Sequence, residues 1–178
     1  MNGKKIVLGV CGSIAAYKSA ELVRAFKKSG AEVTCVLTKN GARFITSLTL
    51  QTLSGNKVYE DMFDPFVPDI EHIALSKSAD IVVIAPATAD VLARLAGGRA
   101  DDLLASVVLS TRKPVLICPA MNDNMWLHEA TKENVKRLEK FGYQFVQPEK
   151  GELACGDEGI GRLADIIVIR KKVEDILK

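Results

Sequence analysis

The sequence KIVLGVCGSIAAYKSAELVRAFKKSG, residues 5–30, combines a short apolar run, a glycine turn and a helical pattern. The run Lys5–Val10 is continuously apolar after its first residue, which is typical of a parallel strand covered on both faces. Apolar residues then recur on one face of a helix predicted over Ser13–Ser29, and Gly30 suits its C-terminal cap. The stretch therefore predicts a strand followed by a helix, which is the repeating unit of an open parallel sheet.

The same alternation continues along the chain. Further apolar runs predict strands over Glu32–Leu37, Ile81–Ala85, Pro114–Cys118 and Tyr143–Val146. Helical patterns predict helices over Asn40–Leu53, Thr88–Leu95, Asp101–Ser110 and His128–Phe141. We therefore expect an α/β fold with an open parallel sheet, built as one domain over residues 1–178. The segments Gly55–Ile70 and Pro148–Leu163 are longer than connections need to be, which favours a functional role for both.

Composition and charge exclude several classes of protein. A hydrophobic content of 48% and a charged content of 26% exclude a disordered chain. A net charge of +2 gives no electrostatic basis for binding nucleic acid or an anionic membrane. No two of the 4 cysteines form a C-x-x-C pair, so no metal site is predicted. The first apolar run is too short for a secretory signal or a membrane span, and we expect a cytoplasmic protein.

The residues that follow the first two strands predict a mononucleotide site. Ligands of such sheets bind outside the carboxyl ends of the strands. Gly12 permits a tight turn, and Ser13 opens a helix whose free N–H groups suit a phosphate, although a plain helix cap also explains the serine. Thr38 and Lys39 end the second strand, where a ribose site would carry a carboxylate. A hydroxyl and a cation suit a phosphate monoester, so FMN fits better than NAD.

The next two strands both end in Pro-Ala followed by polar residues. These ends read Pro86-Ala87-Thr88 and Pro119-Ala120-Met121-Asn122. Proline stiffens each loop and alanine leaves room for a flat ring, although a helix cap also accounts for Thr88. The predicted cofactor-binding residues are Gly12, Ser13, Ile14, Thr38, Phe44, Pro86, Ala87, Thr88 and Met121.

Two residues are candidates for proton transfer. His72 has a side chain whose pKa suits a general base, although a lone histidine in an apolar setting just before a strand is also typical of a structural hydrogen bonder. His128 is expected to be a solvated helical residue. Cys155 lies in the glycine-rich segment ELACGDEGIGR, residues 152–162, beside Arg162. That context is typical of a reactive thiol, whereas the other three cysteines are expected to be buried.

Several of these strings occur together and in order: GSIAAYK at 12–18, HI-x-L at 72–75, PATAD at 86–90, PAMN at 119–122 and ACGD at 154–157. With them the whole chain resembles the phosphopantothenoylcysteine decarboxylases, which belong to the homo-oligomeric flavin-containing Cys decarboxylase family. One departure is Asp90, where eukaryotic members carry asparagine. Bacterial bifunctional members resemble this chain at that position.

The resemblance implies a flavodoxin-like three-layer sandwich with FMN near a subunit interface of a homotrimer, which sometimes assembles into a dodecamer. It implies conversion of 4′-phosphopantothenoylcysteine to 4′-phosphopantetheine and carbon dioxide in coenzyme A synthesis. In bacteria this domain usually precedes a phosphopantothenate–cysteine ligase. Nothing follows Lys178 in this sequence, so the expectation is that the ligase is absent or was cut away.

The resemblance also assigns roles to residues. His72 would be the base of the early steps, Asn122 would hold the substrate carboxylate, and Cys155 would donate the last proton. The loop around Cys155 would clamp the substrate through Ala154, Gly156 and Arg162. FMN would oxidise the substrate thiol to a thioaldehyde, which gives the electrons of decarboxylation a sink that a plain cysteine lacks.

Three alternatives remain open from the sequence. A peptidyl-cysteine decarboxylase stops at the enethiol, and such an enzyme needs no proton donor like Cys155. A flavin prenyltransferase shares the FMN-binding fold, but the Pro-Ala-Met-Asn string and His72 do not suit it. A non-catalytic regulatory subunit that binds phosphatases typically carries acidic tails, which this sequence does not show.

Overall fold

A computed structural model of the chain describes residues 1–63, 71–152, 154, 156 and 158–178. At its centre is a parallel sheet built from β1 Lys5–Val10, β2 Glu32–Leu37, β3 Val58–Tyr59, β4 Ile81–Ala87, β5 Val115–Pro119 and β6 Gln144–Phe145. The strand order is β3-β2-β1-β4-β5-β6, and every neighbouring pair is parallel. The predicted α/β class with an open parallel sheet is confirmed.

Helices cover both faces of the sheet. They are α1 Lys18–Lys28, α2 Ser47–Ser54, α3 Glu71–Ser78, α4 Ala89–Ala96, α5 Leu103–Ser110, α6 Asp123–Leu127, α7 Glu129–Lys140 and α8 Ile166–Ile176. One buried cluster joins α1, α2 and α8 to the sheet, and a second cluster joins α3, α4, α5 and α7 to the opposite face. The result is the predicted flavodoxin-like three-layer sandwich.

Strand β1 shows why its sequence is apolar without interruption. Successive side chains of a strand point to opposite faces of the sheet. Ile6, Leu8 and Val10 accordingly join the cluster under α1, and Val7 joins the other one. All four are at most 2% exposed. Truncating a fully buried leucine such as Leu8 to alanine costs about 2–5 kcal/mol of unfolding free energy, so this strand anchors both halves of the core.

The order of the strands fixes where a ligand can bind. The chain runs outward from β1 to β2 and β3, and then returns to place β4 on the other side of β1. Such a reversal opens a crevice at the carboxyl ends of the two central strands. There the backbone N–H of Cys11 donates to the carbonyl oxygen of Pro86 (3.2 Å), which ties the two strand ends together.

Two predicted helices begin later than their patterns indicated. The first starts as a 3₁₀ turn over Ile14–Tyr17 before α1 begins. The prediction Asn40–Leu53 divides into a 3₁₀ turn over Gly41–Arg43 and the helix α2. Thr46 separates them, because its Oγ1 atom accepts the backbone N–H of Thr49 (3.2 Å) and so starts α2 afresh.

The two long segments hold secondary structure that the sequence did not predict. Pro148–Leu163 contains an antiparallel hairpin of β7 Glu149–Glu152 and β8 Glu158–Arg162. Its charged and glycine-rich strands lack the apolar pattern by which strands are recognised. In Gly55–Ile70 lies the short strand β3, while residues 64–70 fall outside the described residues. Helix α8 was also not predicted. In the part of the chain that the structure describes, every helix is too short or too polar to cross a bilayer.

Candidate active site

A cavity of about 800 Å³ opens at the carboxyl ends of the central strands, and we call it cavity A. The loops after β1, β2, β4 and β5 line it with Gly12 and Ser13, Thr38–Asn40, Thr88, and Ala120 and Met121. This volume lies within the range of about 300–1,000 Å³ that is usual for small-molecule and cofactor sites. The strand ends singled out in the sequence therefore form one cavity.

The loops after β1 and β2 touch at two glycines. A Cβ atom on Gly12 would lie 2.5 Å from the Cβ atom of Asn40, and one on Gly41 would lie 2.5 Å from the carbonyl oxygen of Val10. Thr38 joins the same loops, because its Oγ1 atom donates to that Val10 oxygen (3.3 Å) and accepts the N–H of Gly41 (3.1 Å). Any larger side chain at either glycine would push the loops apart and open this corner of cavity A.

Two hydroxyl groups that line cavity A cap helices and keep a hydrogen to donate. Ser13 Oγ accepts the N–H of Ala15 (3.4 Å), and Thr88 Oγ1 accepts the N–H of Val91 (3.4 Å), as helix N-caps do. A hydroxyl that accepts such a bond still has its own hydrogen to donate. Together with the ammonium of Lys39, which also lines the cavity, these donors suit the phosphate monoester of FMN.

Arg94 organises the acidic side of cavity A. Its guanidinium meets Asp90 at 2.6 Å, Asp102 at 2.6 Å and Asp101 at 3.3 Å. Partial burial lowers the pKa of Arg94, but the hydrogen bond to Asp90 and the charges of the three aspartates together raise it above its ordinary value. Asp90, the position that departs from the eukaryotic pattern, is thus half of an ion pair with the residue one helical turn later.

The three described cysteines are buried, as predicted. Cys11 lies on the floor of cavity A, and burial raises the pKa of its thiol to about 12, although a hydrogen bond from the Thr88 backbone acts in the opposite direction. Burial also raises the pKa of Cys35 to about 12 and raises that of Cys118. All three thiols are therefore protonated and unreactive at neutral pH.

A second cavity, of about 690 Å³, adjoins the first, and we call it cavity B. It lies between the β7–β8 hairpin and the region where the 3₁₀ turn passes into α1, which contributes Tyr17 and Lys18. Ser13, Ala120 and Met121 line both cavities and form a shared wall. A ligand in cavity A and a ligand in cavity B would therefore touch the same three residues.

The β7–β8 hairpin is fastened to the loop that follows β5. The backbone N–H of Met121 donates to the carbonyl oxygen of Gly161 (3.0 Å). A Cβ atom on Gly161 would overlap the carbonyl oxygen of Met121, and one on Gly159 would lie 2.8 Å from the Cβ atom of Asp123. Only glycine permits both approaches, so β8 lies directly against the wall that the cavities share.

Asn122 stands between this wall and helix α6. Its Oδ1 atom accepts the N–H of Asn124 (3.0 Å) and caps the helix. Oδ1, the acceptor of this amide, is engaged in the cap. The Nδ2 group, which is its donor, is left for a ligand in cavity B. A side-chain N–H group of this kind suits a carboxylate.

The structure brings together most, but not all, of the predicted cofactor residues. Those that line cavity A are Gly12, Ser13, Thr38, Thr88 and Met121. Ile14 lines cavity B instead. Pro86 and Ala87 are buried below the cavities, where their carbonyl oxygens accept backbone N–H groups of Cys11 and Ala120. Phe44 is 48% exposed and lines neither cavity, so its role stays a prediction.

Three of the five predicted substrate residues lie at cavity B. Asn122, Ala154 and Arg162 line it, whereas Gly156, with φ +90°, lines neither cavity. Cys155 lies outside the described residues. The predicted roles of these residues in substrate binding stay predictions.

His72 is in a different place from the one the sequence indicated. It is a half-buried residue in the first turn of α3 and does not directly precede a strand. The neighbouring Glu71 is buried and accepts a hydrogen bond from Lys57 Nζ (3.0 Å), which fixes the start of this helix. His72 lines neither cavity, so one chain alone does not bring it to the candidate site. The other histidine, His128, is exposed and caps α7, with its Nδ1 atom accepting the N–H of Ala130.

Sequence reasoning missed several residues of the two cavities. Arg94 and Asp102 line cavity A, and Tyr17 and Lys18 line cavity B. The spacing of Asp90 and Arg94, four residues apart on a predicted helix, was a signal for their ion pair. Lys18 stood at the end of the GSIAAYK string, but nothing in the sequence distinguished it from a solvated lysine.

A family profile described as Flavoprotein matches residues 1–178. The chain belongs to this flavoprotein family. It is 48% identical over 164 residues to the coenzyme A biosynthesis bifunctional protein CoaBC of Vibrio vulnificus and 46% identical over 168 residues to that of Escherichia coli. These matches cover 92% and 94% of the chain but 41% of each relative, so the chain spans about two fifths of their length. The resemblance predicted from the sequence is confirmed.

Solved structures agree with the fold of this flavoprotein. A cysteine-to-serine mutant of PPC decarboxylase, complexed with pantothenoylaminoethenethiol, superimposes with a TM-score of 0.87 at 31% identity and covers 97% of both chains. The FMN-dependent cysteine decarboxylase SpaF superimposes with a TM-score of 0.85 at 30% identity and covers 98% of both chains. The fold of the chain is therefore one that these two decarboxylases share.

Proposed function

We propose that the chain is an FMN-dependent carboxy-lyase that converts 4′-phosphopantothenoylcysteine to 4′-phosphopantetheine and carbon dioxide, a step of coenzyme A synthesis. The observation that carries this proposal is the wall of Ser13, Ala120 and Met121, which is shared by a cavity suited to FMN and a cavity that contains Asn122 and Arg162. A redox reaction at a cofactor needs its substrate in contact with that cofactor. Two adjoining cavities with a common wall supply such an arrangement.

FMN, when bound, supplies a two-electron acceptor that returns the electrons within one catalytic cycle. Ser13, Thr88 and Lys39 would hold its phosphate in cavity A, where Gly12 and Gly41 keep the flanking loops together. The buried thiol of Cys11 below stays neutral and does not compete as a nucleophile. These residues would bind and orient the cofactor, and other residues would act on the substrate.

Two side chains of cavity B would hold the carboxylate of the substrate, and His72 and Cys155 would transfer its protons. Asn122 Nδ2 and the Arg162 guanidinium hold the carboxylate before it leaves as carbon dioxide. His72 removes a proton as the substrate thiol is oxidised to a thioaldehyde. Loss of carbon dioxide leaves an enethiolate, which becomes the saturated thiol when the two electrons return and Cys155 adds the last proton. Overall, the carboxylate is replaced by hydrogen and no oxidant is consumed.

The names and identities of the relatives support a substrate of coenzyme A synthesis. Identity to the CoaBC relatives is 46–48%, against 30% to the cysteine decarboxylase SpaF. The ligand of the related PPC decarboxylase structure, pantothenoylaminoethenethiol, is the enethiol expected when the last proton transfer is blocked by a cysteine-to-serine change. This supports the assignment of the final protonation to Cys155.

A homotrimer, with further assembly into a dodecamer, would complete the site. Large apolar side chains at the mouths of the cavities are exposed in the single chain: Ile14 by 57%, Tyr17 by 55%, Phe63 by 78% and Met125 by 49%. Exposed apolar side chains around a candidate site favour association. Because His72 lines neither cavity of its own chain, association would let a second copy supply the base.

Mixed oligomers test this arrangement. Neither His72→Asn nor Asn122→Ala should turn over alone, whereas oligomers reassembled from both variants should recover part of the wild-type activity. No recovery in confirmed mixed oligomers would place both residues in one subunit's site.

The proposal concerns the decarboxylase reaction alone. The CoaBC relatives are named bifunctional and are longer than this chain, and the resemblance assigns their second activity to a phosphopantothenate–cysteine ligase domain fused after the decarboxylase. We place the decarboxylase reaction in the cytoplasm, as expected from the sequence.

Absorbance spectroscopy and carbon dioxide release test the proposed function. The purified protein should be yellow and should yield one FMN per chain on extraction. It should release one carbon dioxide per 4′-phosphopantothenoylcysteine consumed, without added oxidant. Extraction of a different chromophore would contradict the assignment of cavity A to FMN. Bound FMN without carbon dioxide release would overturn the assigned reaction.

A further inference from the structure

The two cavities differ in charge. Cavity A is lined by five carboxylates, those of Glu60, Asp61, Asp90, Asp101 and Asp102, and by two cations, Lys39 and Arg94. In cavity B the lining among the described residues carries two cations, Lys18 and Arg162, and one carboxylate, Glu152. Arg94 is already held by three aspartates and Lys39 is assigned to the FMN phosphate, so the cations of cavity B are the ones left for an anionic substrate, with Glu149 lying 3.7 Å from Arg162.

The two cations of cavity B belong to different elements, Arg162 to β8 and Lys18 to α1. Arg162 directly follows Gly161, whose carbonyl oxygen bonds to Met121 in the shared wall. Lys18 follows the 3₁₀ turn over Ile14–Tyr17, and a rise of about 2 Å per residue places its backbone about 10 Å beyond Ser13. Arg162 is therefore on the strand that contacts the shared wall, and Lys18 is on the helix that leads away from Ser13 in that wall.

Lys18 has the chemistry for a terminal phosphate. It is half-buried at the first position of α1, and among the described residues no carboxylate forms an ion pair with it. An ammonium group is a compact charge with three donors, and a phosphate monoester carries about −1.5 to −2 charges at pH 7. A half-buried ammonium is screened less by salt than an exposed one.

We propose that Lys18 binds the 4′-phosphate of the substrate and so makes the enzyme select phosphorylated over unphosphorylated pantothenoylcysteine. This assignment rests on the proposed function, because that reaction defines the substrate. Asn122 and Arg162 hold the carboxylate at the shared wall, and Lys18 holds the opposite end. The distance between these groups then selects substrates by length as well as by charge.

Steady-state kinetics of Lys18→Gln with two substrates test the proposal. With 4′-phosphopantothenoylcysteine, kcat/KM should fall at least about tenfold, through KM, because a charge-assisted hydrogen bond is lost. With pantothenoylcysteine, kcat/KM should stay at the wild-type value. Lys28→Gln removes the same charge from an exposed position of the same helix and should change neither substrate. Lys18→Arg should restore most of the selectivity.

A binding measurement separates this proposal from the proposed reaction. By calorimetry on the FMN-loaded protein, wild type should bind 4′-phosphopantothenate at least about tenfold more tightly than pantothenate, and Lys18→Gln should remove the difference. Equal loss of both ligands, or of neither, would overturn the role of Lys18. If wild type binds with this preference but releases no carbon dioxide, the proposed reaction fails and the phosphate site stands.

Discussion

Cavities A and B share one wall but are built differently. Cavity A is framed by the ends of the central parallel strands, whose loops meet at Gly12 and Gly41. Cavity B is framed by the start of α1 and by a hairpin that lies outside the main sheet. The sheet therefore fixes the half of the site that suits a cofactor. The half that recognises the substrate depends on an added element, which can differ between relatives without disturbing the sheet.

Cys155→Ser should have the largest effect, and it should leave FMN binding in cavity A unchanged. A serine hydroxyl is a far weaker acid than a thiol with a free pKa of about 8.5, so the last protonation should fail after decarboxylation has occurred. Under anaerobic conditions the variant should release at most one carbon dioxide per flavin. Mass spectrometry should find a product two hydrogens lighter than 4′-phosphopantetheine. Wild-type yields of 4′-phosphopantetheine would show that the proton comes from another group.

His72→Asn should come next and should also spare the cofactor. Loss of a general base lowers rates by about 10²–10⁴-fold, and His72 lines neither cavity of its own chain. We expect the variant to keep one FMN per chain while carbon dioxide release falls by at least about 100-fold. His128→Asn is the matched control, because His128 is exposed and should leave the rate unchanged. Full turnover by His72→Asn would assign His72 a structural role.

Thr88→Ala should affect cavity A instead. Loss of a hydrogen bond to a charged phosphate costs about 1.5–3 kcal/mol, so the Kd for FMN should rise by about tenfold or more, as fluorescence titration of the apoprotein can measure. Thr46→Ala removes another threonine N-cap, on α2, away from both cavities. Thr46→Ala should lose about 1 kcal/mol of unfolding free energy, as Thr88→Ala should, but it should bind FMN as tightly as the wild type does. Equal FMN binding by the two variants would contradict the assignment of Thr88.

The smallest effect is a loss of unfolding free energy at alkaline pH, which tests whether water reaches the thiol of Cys11 in cavity A. Cys11 lines this cavity and Cys35 lies in the core, yet burial raises the pKa of each thiol to about 12 from an ordinary 9.0. Between these values the unfolded chain releases the proton and the folded chain retains it. The unfolding free energy is therefore unaffected below pH 9 and declines as pH rises toward 12.

Urea unfolding at several pH values measures this decline. Each thiol should contribute a loss of about 1.5 kcal/mol between pH 9 and pH 10.5. Cys11→Ala and Cys35→Ala should each flatten the decline by the same amount. If Cys11→Ala flattens the decline less than Cys35→Ala does, water reaches the thiol of Cys11 in cavity A.

The fold was largely predictable because every central strand is buried on both faces. The apolar runs of β1, β2, β4 and β5 admit no other placement, and the strand-end rule then located Gly12, Thr38 and Thr88 in one cavity. The hairpin escaped prediction because the strands β7 and β8 are polar and contact little of the core. Two-stranded antiparallel elements of this kind depend on backbone pairing and on local contacts, which leave a weak periodic signal.

The candidate site was predictable where it depends on strand ends and not where it depends on distant contacts. Asn122 and Arg162 could be paired only through the family resemblance, since the contact of Gly161 with Met121 joins segments 40 residues apart. Phe44 and His72 were assigned by the same resemblance, and neither lines a cavity of the single chain. The surroundings of Phe44 and His72 depend on contacts with residues distant in sequence, and a local sequence pattern does not encode such contacts.

The tight seat of Gly161 against Met121 has a consequence for altering substrate choice. A methyl group at position 161 would collide with the carbonyl oxygen of Met121. A substitution of Gly161 would therefore displace Met121, which lines both cavities. The contact of Gly161 with Met121 thus fixes the position of β8, and the contact of Gly159 with Asp123 fixes it at a second point. An engineer who exchanges the sequence between β7 and β8 can redesign the substrate clamp while these two glycines preserve the alignment of the reaction centre.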